Sequence, residues 1–307
     1  MLTIGSRGSQ LALWQAHWIR ARLEELGETC RIQIIRTTGD KITDVPLAKV
    51  GGKGLFTKEI EDALLEGLID LAVHSMKDLP TELPPGLCVT AVPEREDPRD
   101  ALVGCSLAAI PEGGRVGTSS LRRVAQLRAV RPDLVVEPVR GNLDTRLRKL
   151  DEGQYDAIVL AAAGLRRLGW QDRIAEFLAP AVMCPAVGQG ALAIETRDDG
   201  GGAYEVCRRL DHPDTRSAVT AERAVLASLG GGCQVPIGAH SLLEGVALYL
   251  TAVVASPDGR QIIRREASGS PQDAARLGAD LGQQLLESGA REILVEVYGA
   301  GSGSSAT

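Results

Sequence analysis

The sequence has few aromatic residues, no long apolar run and no apolar segment at its start, and these shortages exclude several classes of protein. Aromatic residues make up 3% of the 307 residues, against 44% hydrophobic and 24% charged residues, a composition typical of folded globular chains. The longest apolar stretch, near residues 157–165, is far shorter than the roughly 18 residues that span a bilayer. We therefore expect neither a disordered chain, nor a membrane protein, nor a secretory signal.

The six cysteines include no C-x-x-C pair and stand at wide, irregular spacings. This spacing is typical of reduced thiols and predicts neither a zinc site nor a disulfide framework, so we expect a cytoplasmic protein without a metal. Most of the cysteines are flanked by apolar residues and are expected to be buried. Cys233 differs, because it lies in the glycine-rich segment 230–236, where neither a helical nor a strand pattern is present.

Lysine is also scarce. Six lysines stand beside 28 arginines and 40 acidic residues, and the net charge is −6. A chain with this charge is not expected to be a general nucleic-acid binder. Local basic pockets remain possible, so the positions of the arginines decide where an anion could bind.

The hydrophobic pattern predicts an α/β fold over the first two-thirds of the chain. Short β-branched runs alternate with amphipathic helical patterns, as in strand 2–5, helix 10–26 and strand 31–36, and this alternation predicts a mainly parallel sheet in each of two units. The charged, proline-containing segment 93–100 is the first expected domain boundary. The pattern in the last part of the chain predicts an α+β module whose final element is strand 292–298. A Gly/Ser-rich tail follows it and is expected to be disordered.

Arginines recur where a predicted strand leads into a predicted helix. These positions are Arg7, Arg122, Arg123, Arg140 and Arg146. Basic residues are usually avoided at a helix N-terminus, because that end already carries partial positive charge. Free backbone amides, hydroxyls and guanidinium groups at such a turn bind carboxylate or phosphate. Any one cluster could equally pair with surface acids, but three clusters at strand ends predict a polyanionic ligand.

Two further segments carry candidate residues. The sequence HSMKDLP at 74–80 ends a buried strand pattern and places Lys77 and Asp78 at the carboxyl edge of the first sheet, where the aspartate could stabilise a cation or simply make a turn. Segment 41–56 is rich in glycine and lysine but lacks the residue order of a phosphate-binding loop. It is either a mobile lid over an anionic substrate or a plain solvated loop.

Six sequence motifs are specific enough to indicate a family. They are R-x-S-x-L-A-L-W-Q-A at 7–16, H-S-M-K-D-L-P at 74–80, V-G-T-S-S-L-R-R at 116–123, R-G-N-x-D-T-R at 140–146, V-G-Q-G at 187–190 and G-G-C-x-x-P-I-G at 231–238. In this order and spacing the chain resembles the porphobilinogen deaminase (hydroxymethylbilane synthase) family from about residue 3 to residue 297.

The resemblance implies a fold and a reaction. The fold would consist of two α/β domains like those of periplasmic binding proteins and a smaller C-terminal α+β domain. The implied boundaries are 1–94 with 191–210, then 97–187, then 213–299, with 300–307 as a disordered tail. The reaction would be a transfer that joins four porphobilinogen molecules head to tail on a covalent dipyrromethane cofactor, releases ammonia, and frees hydroxymethylbilane by hydrolysis for tetrapyrrole biosynthesis.

The resemblance also implies roles for individual residues. Cys233 would hold the dipyrromethane through a thioether, and Asp78 would be the catalytic carboxylate that stabilises the azafulvenium cation formed as ammonia leaves. The implied cofactor contacts are Lys77, Asp78, Thr118, Ser120, Arg122, Arg123, Arg140 and Gly141. The implied substrate contacts are Arg7, Ser9, Arg140, Arg146, Arg167 and Gln189. The family's flexible loop would contain Lys49, Lys53 and Phe56.

Two other functions account for less of the sequence. Two α/β domains around an anion would also suit a cytosolic solute sensor, although the cysteine in the glycine loop and the C-terminal module count against it. A thiol hydrolase based on Cys233 would need a histidine base, and none of the four histidines stands in a recognisable catalytic context. We expect porphobilinogen and the growing pyrrole chain as ligands, a monomer, and no nucleic-acid or membrane partner.

Overall fold

The computed structural model describes residues 1–41, 54–231 and 235–302. Lys49, Lys53 and Cys233, three of the predicted site residues, lie outside the described residues. The chain forms two compact units: it enters the second after Glu96, returns to the first at Gly190, and leaves it again after Arg216.

The structure is built from strands, helices and short turns. The strands are β1 (Leu2–Ser6), β2 (Cys30–Ile34), β3 (Leu71–Ser75), β4 (Leu87–Ala91), β5 (Asp100–Val103), β6 (Arg115–Gly117), β7 (Val135–Glu137), β8 (Ala157–Ala161), β9 (Ile174–Leu178), β10 (Leu192–Arg197), β11 (Ile237–Glu244), β12 (Ala247–Ala255) and β13 (Ile262–Gly269). The helices are α1 (Gln10–Glu25), α2 (Thr38–Lys41), α3 (Lys58–Leu65), α4 (Leu121–Val130), α5 (Leu143–Asp151), α6 (Ala162–Arg167), α7 (Gly202–Cys207), α8 (Pro213–Ser228), α9 (Ala274–Leu285) and α10 (Arg291–Ser302). Single 3-10 turns lie at Met76–Asp78, Gln171–Arg173, Arg208–Leu210 and Pro271–Asp273.

The first unit holds a five-stranded sheet in the order β2-β1-β3-β10-β4. Strand β1 pairs in parallel with β2 and β3, whereas β10 runs antiparallel to β3 and β4. Helix α1 covers one face, where Ile19 and Leu23 pack with Ile4. Helix α3 covers the other face through Ile60 and Leu64. The side chains of a strand alternate between the two faces, so both helices bury apolar residues against the same sheet.

The second unit contains a sheet of the same plan in the order β7-β6-β8-β5-β9. Strand β6 is parallel to β7 and β8, and β5 is antiparallel to β8 and β9. One strand in each five-stranded sheet is therefore reversed, so each sheet has two parallel and two antiparallel pairings. The predicted α/β class is confirmed, and the sheets are mixed rather than mainly parallel. Strands β5 and β9 were not predicted, because each is a short apolar run directly beside charged residues.

The end of the chain forms the predicted α+β module within the second unit. Strands β11, β12 and β13 make an antiparallel meander, and α8, α9 and α10 pack on one face of it. Helix α9 approaches α8 so closely at Gly278 that an added Cβ would overlap the carbonyl oxygen of Ala221. Glycine is the residue that permits this contact.

The predicted strand 292–298 is wrong, because these residues belong to helix α10. Ile293 and Leu294 are buried and Val297 is partly buried, whereas Val295 is exposed. That pattern has the period of a helix packed on one side, and a short β-branched run does not distinguish it from a strand in the sequence. Helix α10 continues to Ser302, so residues 300–302 of the expected disordered tail are helical. No helix among the described residues is long and apolar enough to cross a membrane.

Candidate functional site

In the first unit, two groups of predicted site residues follow neighbouring parallel strands. Arg7 and Ser9 come after β1, and Lys77 and Asp78 come after β3. Strands β1 and β3 pair in parallel, so their carboxyl ends lie at one edge of the sheet. That edge is where ligands bind in open α/β sheets, and the predicted placement of Asp78 there is confirmed.

The turn Met76–Asp78 presents two charged side chains on an apolar anchor. Met76 and Leu79 are buried, Lys77 is half-buried and Asp78 is exposed. The backbone N–H of Met76 donates to the carbonyl of Ala191 at 3.0 Å, which fixes the turn to the start of β10. The carboxylate of Asp78 is thus displayed on a turn whose apolar neighbours hold it in place.

Arg7 already has an acidic partner within the first unit. Its Nε and Nη2 donate to Oδ1 of Asp40 at 3.0 and 2.5 Å, and its guanidinium lies 4.2 Å from the ring centroid of Phe56. Burial opposes ionisation of Asp40, but the hydrogen bonds from Arg7 and Thr37 outweigh it and hold the pKa of this carboxyl below its usual value. A substrate carboxylate at Arg7 would share the guanidinium with Asp40.

Ser9 has a structural role at the start of α1. It occupies the N-cap position, and its Oγ accepts a hydrogen bond from the N–H of Ala12 at 3.3 Å. This cap satisfies one of the N–H groups that a helix leaves free at its first turn. The predicted helix 10–26 is confirmed to within one residue.

In the second unit, predicted site residues follow three neighbouring parallel strands. The spatial order is β7-β6-β8, and the segments after these strands carry the residues Arg140 and Gly141, then Thr118 and Ser120, then Arg167. The carboxyl ends of these strands lie at one edge of the sheet. Hydroxyls, backbone amides and guanidinium groups are therefore concentrated at that edge, as the sequence predicts.

The segment after β6 is ordered by its own hydroxyl groups. Ser120 is the N-cap residue of α4, and its N–H donates to Oγ1 of Thr118 at 3.3 Å. The hydroxyl of Ser119 donates to the carbonyl of Val139 at 2.8 Å. This last bond ties the segment after β6 to the segment that ends in Arg140.

In the segment after β7, position 141 accepts only glycine without strain. Gly141 has φ of +104°, and an added Cβ would come within 2.6 Å of Thr145. Its carbonyl oxygen accepts a hydrogen bond from Nε of Arg146 at 2.8 Å. Both the backbone conformation and the close approach require glycine here.

Arg122 and Arg123 differ from the sequence expectation, because both are held by a buried acid. Arg122 is 4% exposed and Arg123 is 7% exposed, and both pair with Asp100, which is fully buried. Burial opposes ionisation of Asp100, but the charges of Arg122 and Arg123 outweigh it and keep the pKa of this carboxyl well below its usual range. The cluster is a buried triad of two cations and one anion.

Gln189 belongs to the same cluster. Its Nε2 donates to Oδ1 of Asp100 at 2.9 Å and to the carbonyl of Pro98 at 2.7 Å. The sequence motif V-G-Q-G pointed to this glutamine as a substrate contact. The structure shows that it joins segment 97–100 to the segment before β10.

Sequence reasoning missed the acid at the centre of this cluster. Asp100 stands at the end of the charged segment 93–100, which indicated a domain boundary rather than a site. The available signal was the apolar run that follows directly, because an acid that opens a buried strand needs a cationic partner.

His74 is a buried histidine on β3. Its Nε2 lies 2.9 Å from Oε2 of Glu195, which is fully buried on β10. Glu61 on α3 is also buried. Burial, with a contribution from the charge of Glu195, raises the pKa of Glu61.

The two sheet edges offer complementary chemistry. The edge in the first unit presents a carboxylate and an ammonium group, which can contact N–H donors and carboxylates respectively. The edge in the second unit presents guanidinium, hydroxyl and amide donors, which bind carboxylates. Among the described residues, no group of three or more histidine, cysteine, aspartate or glutamate side chains could hold a metal ion.

Comparison with known proteins agrees with this chemistry. Residues 2–204 match the family model described as porphobilinogen deaminase, dipyromethane cofactor binding domain, and residues 217–287 match the model of the porphobilinogen deaminase C-terminal domain. The porphobilinogen deaminase of Syntrophobacter fumaroxidans is 56% identical over 305 residues, covering 98% of this chain and 99% of that protein. The porphobilinogen deaminase of Geobacter sulfurreducens is 52% identical over 301 residues, covering 97% of this chain and 95% of that protein.

A search of solved structures also gives matches, and these are remote in sequence. One is the second substrate binding domain of a putative amino acid ABC transporter from Streptococcus pneumoniae Canada MDR_19A, with a TM-score of 0.43, 13% identity, and coverage of 75% of this chain and 95% of that chain. The family itself is given by the two domain models and the close relatives. The chain belongs to the porphobilinogen deaminase family.

Proposed function

We propose that the protein is a hydroxymethylbilane synthase, a transferase that adds four porphobilinogen molecules head to tail to a dipyrromethane cofactor. Ammonia leaves at each addition, and hydrolysis frees the linear product for tetrapyrrole biosynthesis. The observation that carries the proposal is the exposed carboxylate of Asp78 beside Lys77 at the carboxyl edge of a sheet. The match of residues 2–204 to the cofactor-binding domain of the family supports it. The alternative of a solute sensor is not favoured by this match.

The residues of the second unit fit a cofactor whose side chains are carboxylates. Within the described part of the chain, Arg122 donates to protein acceptors through Nη1 alone, so Nε and Nη2 are available as a planar pair of donors. The cofactor contacts that we propose are Lys77, Asp78, Thr118, Ser120, Arg122, Arg140 and Gly141. Arg123, predicted from the sequence as a further contact, is proposed to support Arg122 through their shared partner Asp100. The dipyrromethane, attached through Cys233, supplies a nucleophilic pyrrole carbon at its free end.

Asp78 has the properties that the chemical step requires. Its carboxylate is exposed on a turn fixed by Met76 and Leu79, so it can accept hydrogen bonds from pyrrole N–H groups. When ammonia leaves the substrate, positive charge develops on the pyrrole that remains. A fixed carboxylate beside that charge lowers the energy of the transition state without moving.

The remaining predicted residues are proposed to bind the carboxylates of the substrate. They are Arg7, Ser9, Arg140, Arg146, Arg167 and Gln189. Each porphobilinogen carries an acetate and a propionate, and guanidinium binds such groups through two parallel hydrogen bonds. We also propose that the loop with Lys49 and Lys53 is a lid, whose last residue Phe56 packs on Arg7.

The wider assignments extend the same proposal. We propose three domains, which comprise residues 1–94 with 191–210, residues 97–187 and residues 213–299. We also propose a monomeric state and a cytoplasmic location. The net charge of −6 supports the absence of a nucleic-acid partner. Analytical ultracentrifugation of the purified chain tests the monomer, and a dimer at micromolar concentration would contradict it.

The mass of the intact protein tests the central claim. Active wild-type protein should be heavier than its sequence by one dipyrromethane, and peptide mapping should place the addition on Cys233. In denaturant, alkylation should modify five of the six cysteines, because a thioether sulfur does not react as a thiolate. Active wild-type protein with an unmodified mass would refute the proposal.

Substitution of the cysteine gives the matched comparison. Cys233→Ser should carry no addition and should not turn over porphobilinogen. Cys105→Ser removes a half-buried thiol in the loop after β5 and should keep both the addition and the activity. Full activity of Cys233→Ser would show that the cofactor is attached elsewhere or is not needed.

A further inference from the structure

Asp100 connects three of the proposed site residues through one carboxylate. Its Oδ2 accepts a hydrogen bond from Nη1 of Arg122 at 2.6 Å. Its Oδ1 accepts from Nε and Nη2 of Arg123 at 3.0 and 2.7 Å, and from Nε2 of Gln189 at 2.9 Å. Asp100 opens strand β5 and is fully buried, so its position is set by the sheet.

Backbone carbonyls hold the same two guanidinium groups from other directions. Nη1 of Arg122 also donates to the carbonyl of Cys184 at 2.6 Å, and Nη1 of Arg123 donates to the carbonyl of Val159 at 3.0 Å. The amide of Gln126 fixes Cys184 in turn, accepting from its N–H at 2.8 Å and donating to its carbonyl at 3.2 Å. Each guanidinium is thus held between the carboxylate of Asp100 and a fixed carbonyl.

These contacts assign different roles to the two arginines. Every nitrogen of Arg123 already donates to a protein acceptor. Within the described residues, Arg122 uses Nη1 alone and keeps Nε and Nη2. Nε and Nη2 form the edge of a guanidinium that makes two parallel bonds to a carboxylate. Arg122 is therefore the arginine of the pair that can still bind a carboxylate in this way.

The net charge of Asp100, Arg122 and Arg123 also favours binding of a carboxylate. One buried carboxylate pairs with two buried guanidinium groups, so these three side chains together carry a net charge of +1. Without the carboxylate, two like charges would repel each other in a medium of low dielectric constant. Asp100 therefore keeps the two arginines together and still leaves a charge that attracts an anion.

We infer that Asp100 is a positioning residue for carboxylate recognition, because it orients Arg122 so that Nε and Nη2 meet a carboxylate of the pyrrole cofactor or chain. Arg123 and Gln189 take part by fixing Oδ1 of Asp100. This inference rests on the proposed function. It concerns a residue that makes no contact with the ligand itself.

Two substitutions of Asp100 distinguish the effect of the position of its carboxylate from the effect of its charge. Asp100→Asn keeps the shape of the side chain and removes its charge, whereas Asp100→Glu keeps the charge and displaces it by one methylene. The matched control is Asp133→Asn, which removes the carboxylate that pairs with Arg131 at the other end of α4. The full-length proteins are incubated with porphobilinogen. The fraction that carries the dipyrromethane is measured by intact mass, KM and kcat are measured on the loaded protein, and folding is followed by thermal melting.

Both Asp100 variants should bind the carboxylates of cofactor and substrate more weakly, while the rate of the chemical step should change little. We expect the loaded fraction to fall by about fivefold or more and KM to rise by about tenfold, with kcat changed by less than about threefold, because binding of carboxylates is what is lost. Asp133→Asn should match the wild type. An Asp100→Glu variant with wild-type loading and KM would overturn the inference, since only the charge would then matter.

Three further results also test the positioning role of Asp100 or the proposed function. Folded Asp100→Asn protein with wild-type loading and KM would overturn the inference, whatever its melting temperature. If neither Asp100 variant melts cooperatively, Arg123→Lys replaces them, because lysine keeps the charge but cannot make the two bonds to Oδ1. Normal loading and KM there would overturn the inference, and reduced loading would support it. Wild-type protein without any addition would instead contradict the proposed function.

Discussion

Nε2 of Gln15 donates a hydrogen bond to Oγ of Ser75 at 2.9 Å. Gln15 lies on α1, 3% exposed, and Ser75 is the last residue of β3. Helix α1 begins three residues after Arg7, and the turn with Lys77 and Asp78 begins one residue after Ser75. The bond therefore joins, inside the first unit, the two segments that carry proposed site residues.

Removal of this bond should reduce both stability and turnover. Gln15→Leu takes away the donor to Ser75 from a buried position, and we expect the free energy of unfolding to fall by about 1–2 kcal/mol. We also expect kcat to fall, because the turn with Asp78 loses a contact that fixes it. Urea unfolding and steady-state kinetics measure the two effects.

A double-mutant cycle tests whether the two residues act together. Ser75→Ala should show a similar loss, and the double variant Gln15→Leu/Ser75→Ala should be little worse than either single variant. Additive losses would mean that the hydrogen bond contributes little and that each side chain acts on its own.

The sequence predicts the sheet edges well because the signals there are local. A capping serine, a glycine after the helix and a periodic apolar pattern are enough to place α1 between β1 and β2, and the structure agrees. The position of Asp78 follows from one buried strand that ends in a charged turn. In both cases the determinants lie within about ten residues of one another.

The centre of the second unit could not be predicted in the same way. Asp100 and Arg122 are brought together by the pairings of β5 and β6 with β8, strands that are far apart along the chain. Gln189 joins them from the segment before β10. Strand β5 is only four residues long, so its local pattern is weak. The sequence singles out Arg122 and Arg123 as anion ligands but not their buried partner Asp100, because tertiary pairing brings that partner to them.

Substitution of Asp78 should separate cofactor assembly from turnover. Asp78→Ala should keep the dipyrromethane addition, because the exposed side chain is not part of the core, and should lower kcat by about two to three orders of magnitude. Intact mass and kinetics on the same preparation measure both. Glu82→Gln, an exposed acid four residues further on, is the control and should retain wild-type kcat. Near-normal turnover of Asp78→Ala would refute the catalytic role.

Glu61 should make stability depend on pH with a definite sign. Glu61 is 6% exposed, and burial raises its pKa in the folded protein. The folded state then binds a proton more readily than the unfolded state, so stability is lost as pH rises from about 4.3, the ordinary value for glutamate, through the raised pKa. Glu61→Gln removes this cost and should be more stable than the wild type at pH 7, with little difference near pH 4.

Thermal melting at the two pH values measures the effect of Glu61. We expect a rise in Tm of about 1–3 °C at pH 7. The neighbouring acid Asp62 is only partly buried and pairs with Lys58 at 2.9 Å, so Asp62→Asn controls for the loss of one charge on α3 and should give no such gain. Lower stability of Glu61→Gln at pH 7 would mean that the carboxylate makes a favourable contact that outweighs burial.

Two cysteines should be protected from alkylation as long as the protein stays folded. Cys184 and Cys207 are fully buried, and burial raises the pKa of each thiol to about 12. The thiolate is the reactive species, so at pH 8 both side chains should react with iodoacetamide at least about a hundredfold more slowly than they do in denaturant. Cys105 is half-buried and serves as the internal comparison, because it should react faster in the native protein. Mass spectrometry of peptides gives each rate, and equal rates at Cys184 and Cys105 would show that the core around Cys184 opens without global unfolding.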